Sequence, residues 1–264
     1  MKITMLGTGN ASVSKCYNTC FVISDDKKHF LVDGGGGNQI LHQLDEAGID
    51  LMEISDIFVT HTHIDHILGI LWVMRIICPA LQRSEREVRI YGHDKVINML
   101  RELSSKMLHP KQTRSIDRQL KFVEVKDGET KNIIGHDVTF FDIRSDKDKQ
   151  FGFSMMLDDK EKLTCLGDEP YYKWNKKYAQ GSKWLLHEAF CLYEDREIFH
   201  PYEKFHSTVI DACKSAEELG VKNLLLYHTE DKNLSTRKEK YTAEGSPYFS
   251  GNLYVPDDLE VLNL

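Results

Sequence analysis

The chain has 264 residues, 41% hydrophobic and 28% charged, a globular make-up that allows one large domain or two small ones. A formal net charge of −7 argues against a protein that coats nucleic acid, while leaving a local basic groove open. No run of about 20 apolar residues is evident, so a membrane-spanning helix is not expected.

The chain opens with a strand pattern, Lys2–Leu6, closed by Gly7-Thr-Gly9-Asn10; six residues before a glycine turn are too few for a secretory signal. Residues 20–24 and 29–32 read as a hairpin across Asp25-Asp26-Lys27-Lys28. Asp33 then precedes Gly34 to Gly37. The P-loop lysine and the spaced dinucleotide fingerprint are both absent, so the glycines predict a tight turn near a site. Ile40, Leu41, Leu44 and Ala47 recur at helical spacing up to Gly48. The apolar run Ile57-Phe58-Val59-Thr60 predicts a buried strand, and Ile67 to Ile77 a helix ending near Pro79. Strands are expected over 88–91, 121–125, 138–143, 151–157 and 162–166, with a helix through Val96, Leu100 and Leu103 and a polar connection over 106–118. Two later strands, 184–187 and 224–227, both end at histidine. Between them Val209, Ala212, Cys213, Ala216 and Leu219 mark an amphipathic helix, capped by Ser207 or Thr208 and stopped by Gly220. The charged stretch 231–240 reads as solvated surface or a partner contact. The six cysteines (16, 20, 78, 165, 191 and 213) lie scattered, the pattern of buried free thiols in a reducing cytoplasm. Without repeats or linkers, a single domain over 1–264 is expected, with two sheets packed together and helices outside.

His61-Thr62-His63-Ile64-Asp65-His66 carries the chemistry. Three imidazoles and a carboxylate at the end of a buried strand form a transition-metal donor set. Alternate residues of an extended segment point the same way, so His61 and His63 suit one metal. Asp65 and His66 suit a helix start and a second metal beside it. Asp168, His187-Glu188 and His228 follow or end predicted strands, and His206 precedes a helix. Polar residues at the exits of neighbouring strands converge on one rim.

Thr60-His61-Thr62-His63-Ile64-Asp65-His66-Ile67-Leu68-Gly69 resembles the signature of the metallo-β-lactamase superfamily. Leu166-Gly167-Asp168, His187-Glu188-Ala189, His206-Ser207-Thr208 and Leu226-Tyr227-His228-Thr229 extend the resemblance to its ribonuclease Z group. The resemblance implies an α/β fold of the αββα sandwich type, with two mixed sheets and helices on the outer faces. It implies metal ligation by Asp65, His66, Asp168 and His228 at one ion and by His61 and His63 at another, with Asp168 bridging. Asp65, Glu188 and His206 are the implied catalytic residues, the last two as a carboxylate–imidazole pair at the leaving group. Zinc, one or two ions, is the expected cofactor, with manganese or iron as alternatives.

The sequence departs from that group in three places. The group's further metal histidine, about six residues before a Gly-aromatic pair, has no counterpart in Arg144-Ser145-Asp146-Lys147-Asp148-Lys149, where Asp146 or Asp148 are the alternative donors. Only fifteen residues lie between Gly152 and Asp168, which leaves no room for the long arm that clamps transfer RNA. In the Pro-x-Lys-x-Arg-Asn loop, Lys15 and Asn18 remain, while Val13 and Tyr17 replace proline and arginine. The expected protein is therefore a cytoplasmic metal-dependent phosphodiesterase that uses a metal-activated hydroxide. Its substrate is a phosphodiester, RNA among the choices. No membrane partner is expected, and a homodimer is left open. Ester, thioester or lactone hydrolysis and a non-catalytic metal-binding relative are the competing readings.

Overall fold

The computed structural model describes residues 1–264. Two compact units share the chain: unit 1 holds residues 1–7, 17–126 and 258–264, and unit 2 holds residues 8–16 and 127–257.

Unit 1 begins with β1 (Lys2–Gly7), β2 (Cys20–Asp25) and β3 (Lys28–Val32), an antiparallel meander. After α1 (Gln39–Glu46) come β4 (Ile54–Phe58), α2 (Ile64–Leu81), β5 (Val88–Gly92), α3 (Asp94–Met107) and β6 (Leu120–Glu124). Strands β3 to β6 are parallel, each step needing the crossover that a helix or long connection provides. Helix α2 is long and apolar enough to qualify as a membrane span by length and composition, contrary to the sequence expectation, yet 61% of it is buried within the fold. Ile67, Ile70, Val73, Met74 and Ile77 pack it into the core of unit 1 with Leu31, Ile57 and Ile90. Pro79 lies inside α2, which runs on to Leu81. So close to the end, the missing N–H removes one ladder bond without ending the helix.

The glycine run explains how α2 is seated. A Cβ on Gly69 would stand 1.7 Å from the Gly34 carbonyl oxygen, so only glycine permits this approach of turn and helix. The Gly34 N–H donates to His66 O at 2.8 Å and the Gly69 N–H to Gly35 O at 2.9 Å, while Gly35 takes a φ of 66°. Tyr17, which stands where the ribonuclease Z group's loop has arginine, is buried here and donates its hydroxyl to the Gly34 carbonyl at 2.8 Å. It serves the turn.

Unit 2 contains β7 (Thr130–Ile133), β8 (His136–Asp142), β9 (Phe151–Met156) and β10 (Lys162–Cys165), all antiparallel neighbours. There follow α4 (Lys176–Ala179), β11 (Trp184–Glu188), α5 (Arg196–Phe199), α6 (Val209–Leu219), β12 (Asn223–Tyr227), α7 (Arg237–Gly245) and β13 (Asn252–Tyr254). Strands β10 to β13 are parallel in the order β10-β11-β12-β13. The last strand, β14 (Val261–Asn263), belongs to unit 1, where it pairs antiparallel with β1. Thr208 caps α6 in a full capping box with Asp211, and Gly220 ends it with a φ of 64°. Ala212, Cys213 and Ala216 of α6 pack with Leu185, Leu224 and Leu226 from the sheet. The charged stretch 231–240 is not simply solvated. Arg237 in α7 is fully buried, because its guanidinium finds four oxygen partners within unit 2.

Candidate active site

The chemical residues sit where parallel strands end, the position at which side chains of several strands can converge. In unit 1, β4 gives way to Val59, whose N–H donates to Tyr91 O at 3.0 Å, and then to the histidine motif. Asp33, at the exit of the neighbouring β3, fixes the motif. Its carboxylate accepts the Thr60 N–H and hydroxyl, both at 2.8 Å, and the His66 Nδ1–H at 2.7 Å. His63 is the N-cap of α2, Asp65 lies in its first turn, and His66 follows one residue on. The rings of His63 and His66 lie 4.4 and 4.2 Å from that of His61, centroid to centroid. Thr60 Oγ1 is 2.9 Å from His61 Nδ1, and Asp33 holds His66 Nδ1, so Nε2 of each ring is left as the ligating atom. Burial works against a charged His66, but Asp65 and Asp33 outweigh it and raise its pKa well above the ordinary value. The cluster draws in positive charge, which fits a divalent cation.

Unit 2 brings Asp168, His206 and His228 together, with their donor atoms within 4.8 Å of one another and all three side chains buried. Asp168 follows β10 after Gly167, which takes a φ of 69°, and His228 follows β12 in a left-handed conformation of φ 58°. His228 Nε2 lies 3.6 Å from Asp168 Oδ2. A left-handed non-glycine residue at a strand end is backbone held off its preferred region, a feature that concentrates at functional sites. Hard carboxylate and borderline imidazole donors at this spacing fit a transition metal.

Glu188 ends β11 and is fully buried. One carboxylate oxygen accepts the Ser207 N–H, and Oε2 lies 3.4 Å from His206 Nδ1. Burial raises the Glu188 pKa to about 7, against the lowering pull of His187, His228 and the Ser207 N–H. The His206 ring stacks on Phe190 at 4.7 Å, so its plane is set by an aromatic face and its direction by Glu188. His187 is fully buried with its pKa lowered by desolvation; its Nδ1 lies 2.6 Å from the Glu188 carbonyl oxygen. It is a structural neutral imidazole.

In the loop between β8 and β9, Lys147 reaches the site. Neither Asp146 nor Asp148, the alternative donors expected there, joins a group of metal donors. Lys147 Nζ lies 3.2 Å from Glu169 Oε1, 3.3 Å from the Asp168 carbonyl and 3.5 Å from His206 Nε2. Sequence reasoning missed Lys147, Glu169 and the role of Asp33. For Asp33, an acid at the exit of a strand beside the histidine strand was a usable signal. Lys147 lay hidden in a run of alternating charges.

Two mixed sheets with histidine–carboxylate clusters at their strand ends define a protein of the metallo-β-lactamase fold. Residues 1–245 match the family described as Anti-Pycsar protein Apyc1, and the chain belongs to that family. A curated relative, the ribonuclease Z of Streptococcus gordonii, is 26% identical over 314 aligned positions, covering 100% of both chains. That alignment is longer than this chain, so the relative carries segments that are absent here. Among solved structures, the metallo-β-lactamase fold protein YhfI from Bacillus subtilis gives a TM-score of 0.79 at 18% identity, covering 99% of each chain. The short form of human tRNase Z gives 0.75 at 20% identity, covering 100% of this chain and 99% of that one.

Proposed function

We propose that this metal-dependent hydrolase of phosphodiesterase type acts on small phosphodiesters in preference to transfer RNA, with zinc as the resident metal and manganese or iron as alternatives. The catalytic roles follow from unit 2. Glu188 Oε2 faces Nδ1 of His206 at 3.4 Å, and His206 Nε2 faces Lys147, whose ammonium also reaches Asp168. A positioned imidazolium can then donate its Nε2 proton to a departing alkoxide oxygen. Asp65, His66, Asp168 and His228, with His61 and His63, are the side chains that would hold metal. Bound there, a divalent ion supplies Lewis acidity toward the phosphoryl oxygens and a water of lowered pKa.

The observation that carries the phosphodiester reading is the Glu188–His206 pair. An ester, thioester or lactone with a good leaving group has less need for such an acid, and a silent scaffold has none. The preference for a small substrate rests on the β9–β10 connection. Leu157 N–H donates to Glu161 O at 2.8 Å, so the interval from Gly152 to Asp168 is a short hairpin with no arm. Bis(p-nitrophenyl) phosphate, an alkyl phosphodiester and a precursor transfer RNA, assayed side by side at physiological salt, test both parts. The expected order is turnover of both small diesters and weak, salt-sensitive action on the RNA. Efficient trailer cleavage at physiological salt would overturn the preference, and inactivity on every phosphodiester with full thioesterase or lactonase activity would overturn the reaction class.

A further inference from the structure

We propose that Lys147 is a catalytic residue, an ammonium built into unit 2 that takes over the charge role of one metal ion beside Asp168 and contacts a phosphoryl oxygen of the substrate. In consequence the chain holds a single metal ion tightly. The placement is prepared by Glu169. That side chain is fully buried, and its carboxylate accepts from Ser145 Oγ at 2.6 Å, Tyr172 OH at 3.1 Å and Gln150 Nε2 at 3.3 Å as well as from Lys147. The Ser145 hydroxyl also accepts the Lys147 N–H at 3.0 Å, so backbone and ammonium of the loop are fixed by one buried acid and its neighbour.

So anchored, the ammonium lies 3.8 Å from Asp168 Oδ2, the same oxygen that is 3.6 Å from His228 Nε2. A cation within this distance of the Asp168 carboxylate would repel a second divalent ion and offsets the negative charge that such an ion would neutralise. The ammonium also lies 3.5 Å from His206 Nε2, which accepts from it in this structure, so Nε2 is free to carry a proton to the leaving group only once the ammonium has turned to the substrate. The ammonium keeps two of its three N–H donors on Glu169 and the Asp168 carbonyl, and the third, which meets His206 Nε2 only at 3.5 Å, is the one that turns to a phosphoryl oxygen when substrate enters. A lysine side chain that is only 14% exposed, and held by a buried carboxylate, is not a solvated loop charge.

The substrate contact rests on the phosphodiesterase reading, whereas the metal count does not, so the two can fail separately. The test measures metal content by elemental analysis and zinc and manganese binding by calorimetry for the wild type, Lys147→His, Lys147→Met and Lys147→Arg, each checked for fold by circular dichroism. One tightly bound ion per chain is expected in the wild type and in Lys147→Arg, and two in Lys147→His, where an imidazole replaces the repelling cation. Turnover of an alkyl phosphodiester should fall at least about 10²-fold in Lys147→Met, the loss expected on removing one preorganised charge-stabilising donor. Two equally tight ions in the wild type, or a single ion in Lys147→His, overturns the metal count, and undiminished turnover in Lys147→Met overturns the substrate contact.

Discussion

The Asp33 carboxylate stands 2.7 Å from His66 Nδ1 and accepts two further hydrogen bonds from Thr60, so one acid at the end of β3 sets both the histidine strand and the first turn of α2. An acceptor on Nδ1 fixes the tautomer that leaves Nε2 for the metal and raises its basicity. Asp33→Asn keeps the volume but offers the imidazole a neutral amide. Metal affinity, measured by competition with a chromogenic chelator, should fall about 10–100-fold, the usual loss for such an outer partner. An affinity equal to that of the wild type would show that the metal motif orders itself without Asp33.

Arg237 makes the second prediction. Its Nη1 donates to Thr8 Oγ1 at 3.0 Å and Thr229 Oγ1 at 2.7 Å, and Nη2 to Pro256 O at 2.7 Å and Asp257 Oδ1 at 3.0 Å. The guanidinium thereby ties the segment after β12, including the residue that follows His228, to two other stretches of unit 2. Arg237→Met preserves much of the volume and strands those oxygens without a donor. A buried acceptor left without its donor costs about 1–3 kcal/mol, and urea unfolding should show a loss of that order. A variant within about 0.5 kcal/mol of the wild type, the range of ordinary surface substitutions, would mark the network as ornamental.

These two residues show where sequence reading succeeds and where it stops. The histidine motif, the glycine run and α6 with its capping residues were legible because local chemistry determines them: donor spacing, backbone φ and helical periodicity. The strands β4, β10, β11 and β12 were legible as short apolar runs, to within a residue or three at each end. Arg237 was not, because a charged residue among Glu230, Asp231, Lys238 and Lys240 looks solvated until its distant partners, Thr8 and Pro256, are known. Lys147 failed to stand out for the same reason, since its meaning comes from Glu169 and Asp168, about twenty residues further on. Strand β7 and the C-terminal strands β13 and β14 escaped because each is only three or four residues long and half polar. Helix α2 starts at Ile64, in keeping with the helix start expected for Asp65 and His66, and exceeds the expected apolar run 67–77 at its far end because Pro79 does not stop it.

Glu188 predicts opposite pH dependences for stability and for rate. Its pKa rises from 4.5 to about 7 on burial. Between those values the folded chain binds the proton that the unfolded chain has released, so stability from this group is full below 4.5 and falls as pH rises through about 7. Glu188→Gln removes that slope. The melting temperature of the variant relative to the wild type should therefore improve from pH 5 to pH 8. The rate runs the other way, because only the carboxylate form orients and stabilises a His206 imidazolium. The wild type should show an ascending limb in kcat near pH 7 that is missing in Glu188→Gln. Parallel melting curves across this range, with the limb retained in the variant, would remove Glu188 from both roles.

The last prediction decides what His206 does. Its donor atom lies within 4.8 Å of those of Asp168 and His228, so geometry alone allows it as a third ligand. Its Nδ1 faces Glu188 at 3.4 Å and its ring is stacked on Phe190, the arrangement of an oriented acid. Metal content separates the two roles. As an acid, His206→Ala should keep its fold and its metal while losing turnover, by about 10²–10⁴-fold on an alkyl phosphodiester, whose alkoxide must be protonated as it leaves. The loss on a p-nitrophenyl diester should be small, because that phenolate departs without a proton. Glu188→Gln should follow the same pattern more weakly, since it orients the imidazole and does not transfer the proton. Equal losses on both leaving groups would point to substrate positioning, and loss of metal in His206→Ala would make the residue a ligand. Full activity of His206→Ala on the alkyl diester would falsify the leaving-group mechanism.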